Sequence, residues 1–158
     1  MVKERLGTLM EWLRPFGIGL IVFLAHLLED DATAQFHILG PFVVMLMCGT
    51  VAFEAMVLGE TASAKIGYAP DRAYQIQSGL ANAAIAVTAL LVHVLNWGRF
   101  ADATIVTAML SFFLFSAGNH LLSAIRGGNF KPVNLLRPVL ALVLMGFLLP
   151  PMLGALAP

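Results

Sequence analysis

The stretch FHILGPFVVMLMCGTVAFEAMVLG, residues 36–59, decides the fold class of this chain. Its only Asp, Glu, Lys or Arg residue is Glu54, close to the C-terminal end of the run. An α-helix rises 1.5 Å per residue, so about 20 apolar residues cross the ~30 Å hydrocarbon core of a bilayer. The stretch is longer than that and is therefore predicted to be a transmembrane helix.

Four further apolar stretches have the same character: Met10–Leu28, Tyr74–Trp97, Ala103–Ile125 and Leu135–Ala157. Of the 158 residues 59% are hydrophobic and 11% charged, and the mean hydropathy is +0.88. A soluble domain carries about 25% charged residues, so this chain has too few to cover a water-facing surface. We expect one transmembrane domain over residues 1–158. The predicted fold is an all-α bundle of five transmembrane helices, with a four-helix core and a short N-terminal helix.

Basic residues predict the orientation of this bundle. With five spans, eight of the nine Lys and Arg residues fall on one side, and only Arg99 lies opposite. Short loops rich in Lys and Arg stay cytoplasmic, which places the chain in the bacterial inner membrane with the N-terminus inside and the C-terminus outside. If Met10–Leu28 did not span, the division would be four against five, with no bias. A cleaved signal peptide remains an alternative for this stretch, because Ala32-Thr33-Ala34 resembles a cleavage site.

The longest loop lies between the second and third spans. Its sequence, Glu60–Ala73, has an Ala/Lys/Ile pattern typical of a short interfacial helix, and Gly67 and Pro70 are expected to end that helix. Net charge is zero and the basic residues are scattered, which excludes a nucleic-acid interface. The single cysteine, Cys48, permits no internal disulfide.

Polar residues inside the spans recur on helix faces. In the third span Gln75, Ser78, Asn82 and His93 are separated by steps typical of one helix face, whereas Gln77 points away from it. Polar side chains in hydrocarbon are expensive and normally face the bundle interior or a cavity. This face is therefore predicted to lie against other helices.

Ionisable groups of two different spans are predicted to lie at a similar depth in the membrane. Glu54, Asn82, Asn119 and His120 all fall on the order of 8–12 Å below the inner surface, counted at 1.5 Å per residue. Interhelical packing of polar groups is one interpretation. A binding or proton-handling site is the other, because a carboxylate and an imidazole in low dielectric titrate nearer to neutrality. The candidate ligand-binding or proton-handling residues are Glu54, Gln75, Asn82, Asn119 and His120, with Gln77, His93, Arg126 and Asn129 as secondary candidates.

A second group of polar residues lies near the outer surface: His26, Glu29, Asp30, Asp31, His37 and His93. Two or three of them could bind a divalent ion, but no pair has HExxH spacing, and acidic residues in a short loop usually form a solvated cap. No metal site is expected, and no cofactor can be named. The sequence also lacks a nucleophile set, a Gly-rich phosphate loop and a CxxCH haem attachment, so the question of an enzyme stays open but leans towards none.

Several short motifs resemble a known family. Ala64-Lys65-Ile66-Gly67-Tyr68, then Tyr74-Gln75-Ile76-Gln77-Ser78-Gly79-Leu80-Ala81-Asn82, is similar to an IGW turn followed by an FQxExGxAN helix start. Gly118-Asn119-His120 and Gly128-Asn129-Phe130 resemble a GH…GNF signature. This pattern belongs to an uncharacterised family of small bacterial multi-span membrane proteins, and it covers about residues 40–150. The resemblance marks Gln75, Gln77, Asn82, His120 and Asn129 as shared polar positions, although Gln77 stands where the family often has Glu.

The architecture is also loosely similar to DoxX-type four-helix membrane proteins, some of which associate with quinol-oxidising systems. Three functions remain open. The first is a non-enzymatic membrane protein whose polar intramembrane pocket binds or passes a small or lipid-like molecule. The second is a quinone- or haem-associated subunit of a redox complex, with His93 or His120 as the ligand. The third is a structural subunit in which the polar face of the third span forms a homo-oligomer seam. The expected partners are the lipid bilayer, a hydrophobic small molecule or quinone, and a second copy of the chain.

Overall fold

The computed structural model describes residues 2–157, and over that range the chain forms six helices and no strand. Five of these helices are long and apolar enough to cross a membrane. This confirms the predicted all-α bundle of five spans, and the chain is a multi-pass membrane protein. The helices are α1 Val2–Leu28, α2 Ala32–Val57, α3 Gly59–Ile66, α4 Arg72–Val94, α5 Arg99–Gly127 and α6 Pro132–Leu156.

Helix boundaries follow local sequence signals. The short helix predicted after the second span is α3, and it ends at Gly67, whose φ of 75° is left-handed, a conformation that glycine adopts without a Cβ clash. Asp31 caps α2 by accepting hydrogen bonds from the backbone N–H groups of Thr33 and Ala34. Unlike the predicted first span, which started near Met10, α1 starts at Val2 and is 27 residues long.

Helix α2 is the centre of the bundle. It packs against α1, α4, α5 and α6. In the apolar 18-residue segment of α2 half of the residues are buried, whereas in that of α1 6% are buried. The peripheral α1 packs mainly on α2, so α2, α4, α5 and α6 make up the four-helix core. The largest fully buried apolar side chains of this core are Phe36, Val43, Val44, Val106, Met109 and Leu148.

The two ends of the bundle differ in charge. One end, here called the basic end, consists of the first half of α1, helix α3 with its flanking turns, and the α5–α6 turn. The opposite end consists of the α1–α2 turn, the α4–α5 turn and the C-terminus of α6. At the opposite end Arg99 Nη1 donates to the carbonyl oxygen of Ala157 at 3.1 Å, and Thr33 Oγ1 donates to that of Ala155 at 3.3 Å. These bonds supply donors to α6 carbonyls that lack helical partners.

Gly79 allows α4 to approach α2 closely. A Cβ at this position would lie 2.4 Å from Met56 Cγ and 3.3 Å from the carbonyl oxygen of Ala52. Small residues serve this purpose in membrane bundles, where helices associate through close packing rather than through the hydrophobic effect. The α2–α4 contact is therefore sensitive to side-chain size at one position.

We predict that Gly79→Leu destabilises the protein, because its side chain would overlap Met56 and the α2 backbone. Overpacking of this kind costs about 1–3 kcal/mol. Gly118→Leu is the matched control, since nothing lies within 4 Å of a Cβ there. Thermal unfolding in detergent measures both variants, and equal melting temperatures for the two would contradict the close contact.

Candidate functional site

An ion pair joins α1 to α2 at the basic end. Arg14 Nη2 donates to Glu54 Oε2 at 2.5 Å, and Arg14 Nε donates to Thr50 Oγ1 at 2.9 Å. Thr50 and Glu54 are four residues apart on α2 and so share a face. The Arg14 and Glu54 side chains are each 22% exposed. The carboxylate predicted to be a binding group is thus held by a guanidinium from the first helix.

His120 lies in a second polar group at the same end. Its Nδ1 is 3.0 Å from Asn134 Oδ1, and Arg137 Nη1 donates to its Nε2 at 2.8 Å. Since guanidinium can only donate, Nε2 accepts, and the ring is neutral with its proton on Nδ1. The Tyr68 ring stacks on the imidazole with centroids 5.3 Å apart, and its hydroxyl lies 3.1 Å from Nδ1. Both ring nitrogens of His120 are therefore engaged by protein groups.

The α5–α6 turn holds the C-terminus of α3 through side-chain donors. Asn129 Nδ2 and Asn134 Nδ2 donate to the carbonyl oxygen of Ile66 at 2.9 and 3.0 Å, and Lys131 Nζ donates to that of Ala64 at 2.6 Å. The last carbonyls of a helix have no intrahelical donor. The bonds to Ile66 satisfy such a carbonyl, and the bond from Lys131 adds to the one that Ala64 accepts from the Gly67 N–H. We call Asn129, Lys131 and Asn134, with the carbonyls of Ala64 and Ile66, the clasp.

The two polar groups of the basic end interact electrostatically. Arg137 is close enough to Arg14, Glu54 and Tyr68 for electrostatic interactions with each of them. Arg14 is ion-paired with Glu54, whereas Arg137 is paired with no carboxylate among residues 2–157, so these two groups together carry one positive charge in excess. Arg137 is half-buried, and its one hydrogen bond to a described residue goes to neutral His120. Most of its donors are left for another acceptor.

The polar face of α4 lies inside the bundle. Gln75 and Asn82 are buried on the same side of α4 as Gly79, which abuts α2. Gln75 Nε2 donates to Ser63 Oγ at 2.8 Å, and Asn82 Nδ2 donates to the carbonyl oxygen of Ser78 at 2.9 Å. The carbonyl oxygens of both amide side chains are buried and have no partner among residues 2–157. Gln75, Gly79 and Asn82, on the face of α4 that was considered for an oligomer seam, are thus buried within the chain's own bundle.

The remaining predicted residues do not gather around His120. Asn119, Gln77 and Arg126 are exposed. In the described part of the chain, the hydrogen bonds of Glu54 and His120 lead to different arginines, and none joins either residue to Asn82 or Asn119. Depth counting predicted one shared polar layer. The structure instead has one polar group around Arg14, another around Arg137, and the separate buried amide of Asn82.

At the opposite end three titratable side chains from three helices meet. His37 Nδ1 on α2 lies 2.9 Å from Asp102 Oδ2 on α5. His93 Nδ1 on α4 lies 2.9 Å from the backbone carbonyl oxygen of His37, and the two imidazoles stack with centroids 4.6 Å apart. The Phe42 ring meets His93 edge-on at 4.8 Å. We call His37 and His93 the histidine pair.

The histidine pair lines an open groove of about 390 Å³ between α1 and α2. Its other walls are apolar and include Leu24 of α1 with Ile38 and Phe42 of α2, while Glu29 also lines it. Within residues 2–157 no three His, Cys, Asp or Glu side chains are grouped closely enough to hold a metal ion. The groove is thus an apolar surface with two imidazoles and one carboxylate.

Sequence reasoning missed several of these residues. Asp102 is 1% exposed, yet in sequence it reads as an ordinary acidic residue in the first turn of a helix. Arg14 and Arg137 carried a usable signal, because a cation inside an apolar stretch needs a partner in the protein. Tyr68 and Asn134 carried none, since their roles depend on contacts between distant segments.

The chain belongs to a family of unknown function, DUF6790, whose model matches residues 16–157. This confirms the prediction of an uncharacterised family and extends it beyond the segment that carried the resemblance. The comparison with curated proteins and the comparison with solved structures gave no match. Family membership therefore brings no activity to this chain.

We predict that Asn134→Ala loosens the clasp. Asn134 is fully buried, and its loss removes a donor from Ile66 and leaves His120 Nδ1 without its amide acceptor. Each lost intramolecular hydrogen bond costs about 0.5–1.5 kcal/mol, because Asn129 and Tyr68 remain as partners of Ile66 and His120. The expected result is a lower melting temperature and faster proteolysis in the turn after α3.

Asn119→Ala is the control for this experiment, because it removes the same side chain from an exposed position of the adjacent helix. If both variants unfold and are cleaved like the unmodified protein, the clasp contributes nothing to stability.

Proposed function

We propose that this chain is a non-enzymatic protein of the bacterial inner membrane that binds or passes a small or lipid-like molecule carrying an anionic group. The observation that carries the proposal is Arg137, a half-buried guanidinium whose one hydrogen bond to a described residue goes to neutral His120. Guanidinium binds carboxylate and phosphate through paired N–H donors.

Charge balance at the basic end supports an anionic ligand. Arg14 is paired with Glu54, whereas Arg137 has no carboxylate of its own. A cation in low dielectric is costly unless an anion accompanies it. An acidic headgroup beside Arg137 would supply that anion, and its apolar tail would lie along the neighbouring helices.

In this proposal Glu54 and His120 position the arginines. Glu54 holds Arg14, and His120 accepts from Arg137, so both guanidinium groups are oriented before a ligand arrives. Gln75 and Asn82 are buried on the inner face of α4 and contribute to packing rather than to the ligand. Asn119 is exposed and is left out of the site.

A second candidate function is a quinone-associated subunit of a membrane redox complex. The observation that favours it is His93, whose Nε2 has no protein partner among the described residues and which lines the groove. His120 suits this role less well, because both its nitrogens are engaged. Similarity to DoxX-type proteins is an analogy at the level of fold and adds little.

We predict that the basic end is cytoplasmic, because short basic loops are retained on that side. In intact bacterial cells a membrane-impermeant maleimide is expected to label Asp30→Cys but to label Ala69→Cys only after permeabilisation. Both positions are exposed turn residues at opposite ends of the bundle.

The native Cys48 is fully buried and serves as an internal control that should stay unlabelled in the folded protein. Labelling of Ala69→Cys, and not of Asp30→Cys, in intact cells would reverse the proposed orientation.

We predict that Arg137→Gln weakens binding of an anionic amphiphile. Dodecyl phosphate should raise the melting temperature of the unmodified protein in neutral detergent, because a ligand at 100 times its Kd stabilises by about 2.7 kcal/mol. The shift should shrink in Arg137→Gln and be intermediate in Arg137→Lys, which keeps the charge but loses the paired donors.

Arg126→Gln is the matched control, since it removes an exposed arginine from the same end. Inorganic phosphate and phosphatidylglycerol are tested in parallel: a shift with phosphate alone identifies a free anion, and a shift with the lipid alone identifies a headgroup. A dodecyl phosphate shift of equal size in Arg137→Gln and in the unmodified protein would refute the site.

A further inference from the structure

The hydrogen bonds of the histidine pair fix the tautomer that each ring has when it is neutral. A backbone carbonyl can only accept, so His93 Nδ1, 2.9 Å from the carbonyl oxygen of His37, carries a proton. With the Asp102 carboxylate as acceptor, His37 Nδ1 carries a proton as well. Each neutral ring then has its lone pair on Nε2.

The two Nε2 atoms are left as acceptors without a protein donor. No hydrogen bond joins either atom to a residue in 2–157. Because the surrounding groove is mostly apolar, an unpaired acceptor there loses free energy relative to one that is bonded. An occupant that donates hydrogen bonds, rather than one that accepts them, therefore fits this site.

The apolar walls of the groove favour a membrane-soluble occupant. One wall is α1, which is the least buried of the five spans and packs mainly on α2. The groove therefore lies between the peripheral helix α1 and the central helix α2. Its volume of about 390 Å³ suits a compact headgroup, and Phe42 beside His93 offers an aromatic edge to a ring.

We infer that the groove binds the reduced, dihydroxy form of a membrane quinone. One hydroxyl of a quinol can donate to an Nε2 of the stacked histidine pair, the para hydroxyl lies at the opposite edge of the ring, and the apolar tail can extend into the bilayer between α1 and α2. The oxidised quinone carries two carbonyl oxygens, which are acceptors and would face lone pairs. The site should therefore distinguish the two redox forms by binding alone, with no electron transfer required of the protein.

Asp102 and the carbonyl of His37 act as positioning groups in this site. Each engages the Nδ1 of one imidazole and so fixes its tautomer and orientation. The Asp102 carboxylate is 1% exposed, and its Oδ1 has no partner in the described chain. Its contact with His37 therefore lies in the interior of the protein. The inference is independent of the anion site and deepens the second candidate function.

We predict that a decyl-substituted benzoquinol binds about tenfold more tightly than its oxidised benzoquinone, a difference of about 1.4 kcal/mol. The measurement is anaerobic calorimetric titration of the purified protein in detergent at pH 8, where a free imidazole is neutral. His93→Phe keeps an aromatic ring but removes the acceptor, and it should abolish the preference for the quinol.

Two further variants make the result specific. His26→Phe is the matched control, because His26 is an exposed histidine at the same end and is bonded to its own helix. Ala34→Leu fills part of the groove and keeps both imidazoles in the sequence, and it should weaken binding of both redox forms. If His93→Phe does not fold, loss of binding in Ala34→Leu together with the redox preference of the unmodified protein still supports the site.

Equal affinity for quinol and quinone in the unmodified protein would overturn the inference. So would an unchanged preference in His93→Phe, or quinol binding unaffected by Ala34→Leu. Arg137→Gln should leave quinol binding intact, because Arg137 lies at the other end of the bundle. The failure of the anion site and the failure of the quinol site can therefore be told apart.

Discussion

Hydrocarbon offers no hydrogen-bond partner, so every polar group of a membrane-spanning chain needs one within the protein or in a ligand. This constraint explains the polar contacts that attach α1 and α6 to their neighbours. Helix α1 buries little apolar surface, and Arg14 ties it to Glu54 and Thr50 of α2. Helix α6 is tied to α5 by the bond from Arg137 to His120. Apolar packing around α2 forms the core. The half-buried arginines add polar contacts between α1 and α2 and between α5 and α6.

The clasp extends the same principle to the surface. Gly67 ends α3 in a left-handed conformation and turns the chain; its N–H donates to the carbonyl oxygen of Ala64, whereas the carbonyl oxygen of Ile66 has no backbone donor among the described residues. Asn129 and Lys131 of the α5–α6 turn and Asn134 of the first turn of α6 donate to these two carbonyls. The motifs IGY and GNF, far apart in sequence, are thus the two halves of one contact. Their polar residues have a structural task that accounts for them without a ligand.

The two ends of the bundle present opposite hydrogen-bonding chemistry. At the basic end the unused groups are guanidinium donors, and at the opposite end they are imidazole acceptors. Donors with a positive charge suit an anionic group, whereas neutral acceptors suit hydroxyl groups. Under the two proposals, one chain would contact two different amphiphiles, one at each end of the bundle. The buried carbonyl oxygens of Gln75 and Asn82, which lie in neither site, remain part of the α2–α4 packing.

The sequence by itself determined the five spans and the short helix α3, because hydropathy is summed over about 20 residues and Gly67 carries a local stop signal. It also indicated that Glu54 and His120 lie at similar depth. It could not show that each would pair with an arginine of another helix. Asn119 shows why depth alone does not define a site. It precedes His120 in the chain and has a similar depth, but neighbouring helical residues point about 100° apart, and Asn119 lies on an exposed face of α5. Only the tertiary structure joined His37 to Asp102, 65 residues away, because such a contact depends on how whole helices pack and leaves no local pattern.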